Sequence, residues 1–129
     1  MNDQVKKFSN GLPLPPIPQL LREMLKDYPG NLVRLQEVLN SVVDGPDRAK
    51  GSPDYTFEHA TWALEGRLGT FVHEAQDELE AAKASGDAEA IARAEAKEFL
   101  MGCASSSSNG MYNLGEVWDY LEEHKEALK

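Results

Sequence analysis

The sequence predicts an all-α fold of about five helices, and three observations carry that prediction. Apolar residues recur at three- and four-residue spacing in five separate segments. No stretch alternates apolar and polar residues as a half-buried strand would. Pro29-Gly30, Asp44-Gly45-Pro46, Ser85-Gly86-Asp87 and the run SSSSNG at 105–110 divide the segments, and all are turn formers. The expected architecture is a long antiparallel helical hairpin packed with two short N-terminal helices and one C-terminal helix. It forms a single domain over residues 1–129, a length that can bury its own core.

The elements follow in chain order. Pro13, Pro15, Pro16 and Pro18 bar a regular helix, so residues 1–17 end in an extended, polyproline-like arm. Leu12, Leu14 and Ile17 lie between the prolines, so the arm is expected to rest on the body of the domain. Two Pro-x-x-Pro spacings also fit a ligand for an SH3-type domain, but a segment this apolar beside a helix start reads better as an ordered arm. Residues 18–43 hold two short helices. The first opens at Pro18 and shows Leu20, Leu21, Met24, Leu25 and Tyr28 on one face. Pro29-Gly30 is expected to end it, and Asn31 to cap the second, whose face is Leu32, Leu35, Val38, Leu39, Val42 and Val43.

Residues 44–51 are polar and read as a loop. Ser52-Pro53-Asp54 then has the chemistry of a helix start: a capping hydroxyl, a first-turn proline and an early acid. The hairpin is expected over 53–104. Phe57, Leu64, Leu68, Phe71, Ala75, Leu79 and Ala82 give the strongest helical period in the chain. Gly66 and Gly69 either break this helix or let another helix approach closely, since each costs roughly 1 kcal/mol against Ala. Asp87 is placed to cap the return helix, with Ala88, Ile91, Ala92, Ala96, Phe99 and Cys103 as its expected apolar stripe. Residues 105–110 read as a linker. Asn113 with Glu116 resembles a capping box, and the last helix, over 113–128, presents Leu114, Val117, Trp118, Leu121 and Leu128.

Charge separates along the chain. The formal charge is −9, yet residues 1–50 carry seven Lys/Arg against six Asp/Glu, and residues 51–129 carry six against sixteen. This balance argues against direct binding to nucleic acid or to anionic membranes, both of which favour a basic face. No apolar run reaches the roughly 18 residues of a membrane span. The first seven residues lack the apolar core of a signal peptide, and one cysteine excludes an intramolecular disulfide. A reducing cytoplasm is the expected compartment. Two acidic clusters stand out: Glu74, Asp77, Glu78 and Glu80, and Asp119, Glu122, Glu123 and Glu126. Within each, like charges share a helix face at i, i+3 or i+4, which is mildly destabilising. They read either as solvated surface or as a docking face for a basic partner.

No catalytic constellation emerges. His59, His73 and His124 sit in neither an HExxH nor a Glu-x-x-His pattern, and His73 with Asp77 would need further ligands to hold a metal. Cys103 lies on an Ala-rich stripe and reads as a small buried hydrophobe. The serines at 105–108 lack a nucleophile elbow, and no phosphate loop occurs. Trp62, Phe71, Trp118 and Tyr120 fall mostly at core spacing, while Tyr55, Tyr112 and Tyr120 are candidates for an interface. The expectation is therefore a binding protein without cofactor or metal, not an enzyme.

In overall character the segments LPLPPIPQLLREMLKDYPGNL, FVHEAQDELEAAKASGDAEAI and WDYLEEHKEALK resemble small acidic bacterial immunity proteins, the antidotes of contact-dependent inhibition and related polymorphic toxin systems. The resemblance is one of general character and carries no family residue over. It implies a toxin domain as partner, often a nuclease with a basic cleft, occluded by carboxylates of the hairpin or the last helix. A different class of function fits the same features: a helical adaptor, secretion chaperone or phage-encoded regulator working as a homodimer, with Gly66 and Gly69 allowing the hairpins to pack closely.

Overall fold

A computed structural model describes residues 12–44 and 53–126. Among the described residues there are five helices and no strand: α1 (Gln19–Met24), α2 (Pro29–Asp44), α3 (Pro53–Ser85), α4 (Ala88–Ser105) and α5 (Gly115–Glu123). The loop and capping roles expected of residues 45–52, and the contact expected of Leu128, lie outside the described residues.

The dominant element is α3, 33 residues long and so ~50 Å from end to end. Gly66 and Gly69 do not break it. Nor do they receive a neighbouring element, because a Cβ built on either would meet nothing within 4 Å. The expected stripe is the one that buries: Leu64, Leu68, Phe71, Ala75 and Leu79 are in the core, joined by Ala60. Phe57 is half-buried and meets Trp118 of α5 edge-on, with ring centroids 5.5 Å apart.

The turn between α3 and α4 forms as its residues dictate. Gly86 takes the left-handed conformation (φ 74°) that closes α3. The Asp87 carboxylate accepts the backbone N–H of Glu89 at 3.0 Å and caps α4. The two helices pack as an antiparallel hairpin.

The apolar face of α4 differs from expectation. Met101 and Ala104 are buried, and Ala90, Ala94 and Lys97 lie beside α3 along the same line. Ala88, Ala92 and Ala96 are exposed, Phe99 is 74% exposed, and Cys103 is half-buried. With alanines on nearly every face, α4 offers two stripes of similar hydrophobicity. The line through Ala90, Ala94, Met101 and Ala104 turns inward although Phe99 on the other stripe is larger, so side-chain size alone does not choose the buried face.

The described part of the N-terminal arm, from Leu12, packs on the body of the domain. Leu12 and Ile17 are buried, and Pro15 and Pro18 are fully buried. The Gln36 side chain donates to the Pro15 carbonyl at 2.8 Å, and the Tyr120 hydroxyl donates to the Pro13 carbonyl at 2.6 Å. These bonds satisfy carbonyls that a proline-rich segment cannot pair within itself. The burial of two prolines leaves the Pro-x-x-Pro segment unsuited to an SH3-type groove.

Three boundaries move. Pro29 begins α2 instead of ending α1, so Asn31 lies inside the helix, its N–H bonded to the Tyr28 carbonyl. Residues 105–110 are a packed turn and no linker: Gly110 N–H bonds the Cys103 carbonyl, Met111 N–H bonds the Ser106 carbonyl, and Gly110 and Met111 are buried. The capping box at Asn113 and Glu116 does not close. Asn113 accepts the Gly115 N–H at 2.9 Å, while Glu116 reaches the Gln19 N–H at 2.7 Å and the Arg22 guanidinium at 3.1 Å. Glu116 thus satisfies an orphan donor of a different helix and ties α5 to the start of α1.

Candidate functional site

The acidic clusters come from α3 and α5, and the structure keeps them apart. The contact between Phe57 and Trp118 sets α5 beside the start of α3. Glu74 lies 17 residues further on, about 26 Å along the helix. These are two patches, not one face.

Within the α3 patch the carboxylates divide into engaged and exposed. Glu74 makes a two-pronged bond to Arg34 of α2, Nη1 to Oε1 at 2.7 Å and Nη2 to Oε2 at 3.0 Å. That hydrogen bonding holds the Glu74 carboxyl below its ordinary pKa and raises that of Arg34. Arg34 also lies over the Phe71 ring, 4.8 Å from its centroid. Glu78 accepts Lys97 Nζ at 3.0 and 3.1 Å, and Lys97 lies 5.1 Å from the Tyr28 ring centroid. Glu74 and Glu78 therefore join elements of the fold. Asp77 and Glu80 point to solvent, with only a 4.0 Å approach of Lys83 to Glu80.

The α5 patch is smaller than expected because the helix ends at Glu123. Asp119, Glu122 and Glu123 are exposed on it, with Lys125 at 3.8 Å from Glu122 and His124 at 3.8 Å from Glu123. Glu126 lies in the turn beyond. His124 packs against Tyr120, ring centroids 4.8 Å apart. Burial pushes the Tyr120 phenol up to about 12, with Asp44 adding to the shift.

The sequence marks the acids of the hairpin but not that its far end stands clear of the core. No residue from 80 to 100 is buried. From the Glu78–Lys97 pair to Gly86 is eight residues, ~12 Å of paired helix standing beyond the core. Its alanines supply high helix propensity where no core holds the helices. Residues 77–95 carry six carboxylates and two cations, adding Asp87, Glu89 and Glu95 to those already named. The signal was available as a long alanine-rich stretch with few large apolar residues.

Two aromatic expectations change. Trp62 is 61% exposed and lines a groove of about 590 Å³ between α2 and α3, with His59 and Gly66 beside it and Val38 opposite. Tyr120 is buried, whereas Tyr55 and Tyr112 are exposed. His73 and Asp77 are exposed, and among the described residues no group of three His, Cys, Asp or Glu side chains could hold a metal ion. No described helix is long and apolar enough to cross a membrane. No protein-family model matches the chain, and neither curated proteins nor solved structures give a match.

Proposed function

We propose that the protein is a non-catalytic binding protein of the cytoplasm that docks an acidic helical surface on a basic partner. Within that class, the reading that best fits its charge and size is an immunity protein that neutralises a cognate toxin domain. The observation that carries the docking claim is the projecting end of the α3–α4 hairpin, a length of paired helix with no buried residue from 80 to 100 and a concentration of carboxylates. Clustered like charge opposes the fold mildly. It steers and orients association with a surface of opposite sign.

In this mechanism Asp77, Glu80 and the carboxylates of the turn enter a basic cleft and occupy the positions that substrate phosphates would take. Occlusion needs no chemistry from the inhibitor, only complementarity. Removing one desolvated, paired carboxylate at the centre would cost about 2–5 kcal/mol, and removing a rim carboxylate far less. Glu74 and Glu78 hold the hairpin to the body while the exposed acids dock.

The test is charge reversal by patch. Asp77→Lys with Glu80→Lys should weaken capture of the partner by about a hundredfold, whereas Glu122→Lys with Glu123→Lys should change it by less than about tenfold. Equal loss from both pairs would move the docking surface off the hairpin end. No loss from either would leave the acids as solvated surface.

A further inference from the structure

The face of α3 turned away from the core has a second pattern that acidic docking does not use. Tyr55, His59, Trp62, Gly66, Gly69 and His73 follow one another at spacings of four, three, four, three and four. That is the spacing of a coiled-coil seam. Tyr55 is 55% exposed and Trp62 61% exposed. Gly66 and Gly69 have open space where a Cβ would stand, and the groove beside Gly66 is walled by Trp62 and by Val38 of α2. Glycine is a poor choice in the middle of a long helix. Among the described residues, nothing packs close enough to require it at these two positions.

We propose that this face is where two copies of the chain pair, α3 against α3 in antiparallel sense about a two-fold axis. The argument is the order of the residues. Tyr55, His59 and Trp62 supply bulk in the N-terminal half of the seam, Gly66 and Gly69 leave space just beyond its middle, and His73 closes its C-terminal end. Reversing the helix places each against the other. With the axis between Trp62 and Gly66, Trp62 of one copy meets Gly66 of the second, His59 meets Gly69, and Tyr55 meets His73. All contacts occur twice, as an isologous interface requires. The indole then fills the space the glycine leaves open, and the backbones approach closely. Few helix faces are their own complement in this way, which favours a second copy over an unrelated partner.

The charges bordering the seam fix how pairing responds to salt. Glu58 and Glu65 flank the stripe on the side away from the groove, and the two-fold brings the two Glu65 side chains near one another. Two chains of charge −9 also repel as wholes. Pairing is therefore strengthened by added salt, the opposite of docking to a basic partner.

The experiment is sedimentation velocity of the full chain across a concentration series at low and high salt. The wild type is expected to dimerise, more tightly at high salt. Gly66→Leu begins to fill the space from a Cβ position with nothing within 4 Å, so it should keep its helix content and cooperative melting while the dimer dissociation constant rises by on the order of tenfold or more. Trp62→Ala removes an exposed side chain and should act in the same direction, which keeps the test decisive if the leucine variant folds poorly. Glu65→Gln should tighten the dimer at low salt. A wild type that stays monomeric throughout, or a dimer unmoved by both Gly66→Leu and Trp62→Ala, would overturn the proposal.

Discussion

Tyr120 shows how one residue couples the ends of the chain. Its ring is buried, and its hydroxyl donates to the Pro13 carbonyl at 2.6 Å. Burial raises the phenol from 10.0 to about 12. A raised folded-state pKa means the contribution is fully present below pH 10 and is lost as pH rises through 12. Tyr120→Phe should therefore be less stable than wild type by about 1 kcal/mol at neutral pH, from the lost hydrogen bond. The order should reverse near pH 12, where ionising the buried phenol costs the wild type roughly 2 kcal/mol. Chemical denaturation across pH reads both limbs, and parallel curves would remove the linkage. Gly110 matters by what it lacks. A Cβ there would stand 2.6 Å from the Ala104 Cα and 2.7 Å from its carbonyl carbon, both backbone atoms that cannot swing aside. Gly110→Ala should cost roughly 2–4 kcal/mol by thermal or denaturant unfolding, and a neutral result would mean that the turn at 106–110 packs more loosely than described.

At the scale of elements, α3 was the most legible because Leu64, Leu68, Phe71, Ala75 and Leu79 leave no doubt about the inward face. The hairpin turn was legible for the same kind of reason, since Gly86 and Asp87 do the work that their side chains suit them for. In α4 the signal failed. An alanine at almost every second position gives no periodic contrast, so Phe99 drew the eye to a face that stays in solvent. Glu116 misled differently. It sits where a local cap is expected, yet its carboxylate bonds Gln19 and Arg22, more than 90 residues away in sequence. No local pattern reports such a contact. The exposed acids of the candidate site were partly legible as clusters, but only the fold separates Glu74 and Glu78, bonded to Arg34 and Lys97, from Asp77 and Glu80. The glycines of α3 give a test at this scale. With nothing near either Cβ position, Gly66→Ala and Gly69→Ala should each stabilise the monomer by up to about 1 kcal/mol. Thermal unfolding at high dilution checks this, and destabilisation would show that the helix interior needs glycine.

At the scale of the whole molecule, an almost neutral N-terminal half braces an acidic C-terminal half. The first two helices and the turn between them supply Arg22, Arg34 and the Tyr28 ring that receive Glu116, Glu74 and Lys97. Surface pairs of this kind contribute about 0–1 kcal/mol each, so their use is to fix geometry more than to add stability. What they fix is the direction in which the hairpin end projects. The account then turns on whether that end meets a basic protein. The most direct measurement is capture from host cells with the full chain as bait, washed at low and then at high salt, beside the Asp77→Lys, Glu80→Lys variant. The account predicts one basic protein in stoichiometric amount, held at low salt, released at high salt and lost from the variant, whose activity the wild-type chain inhibits. A partner retained equally by the variant, or held through the high-salt wash, would contradict it.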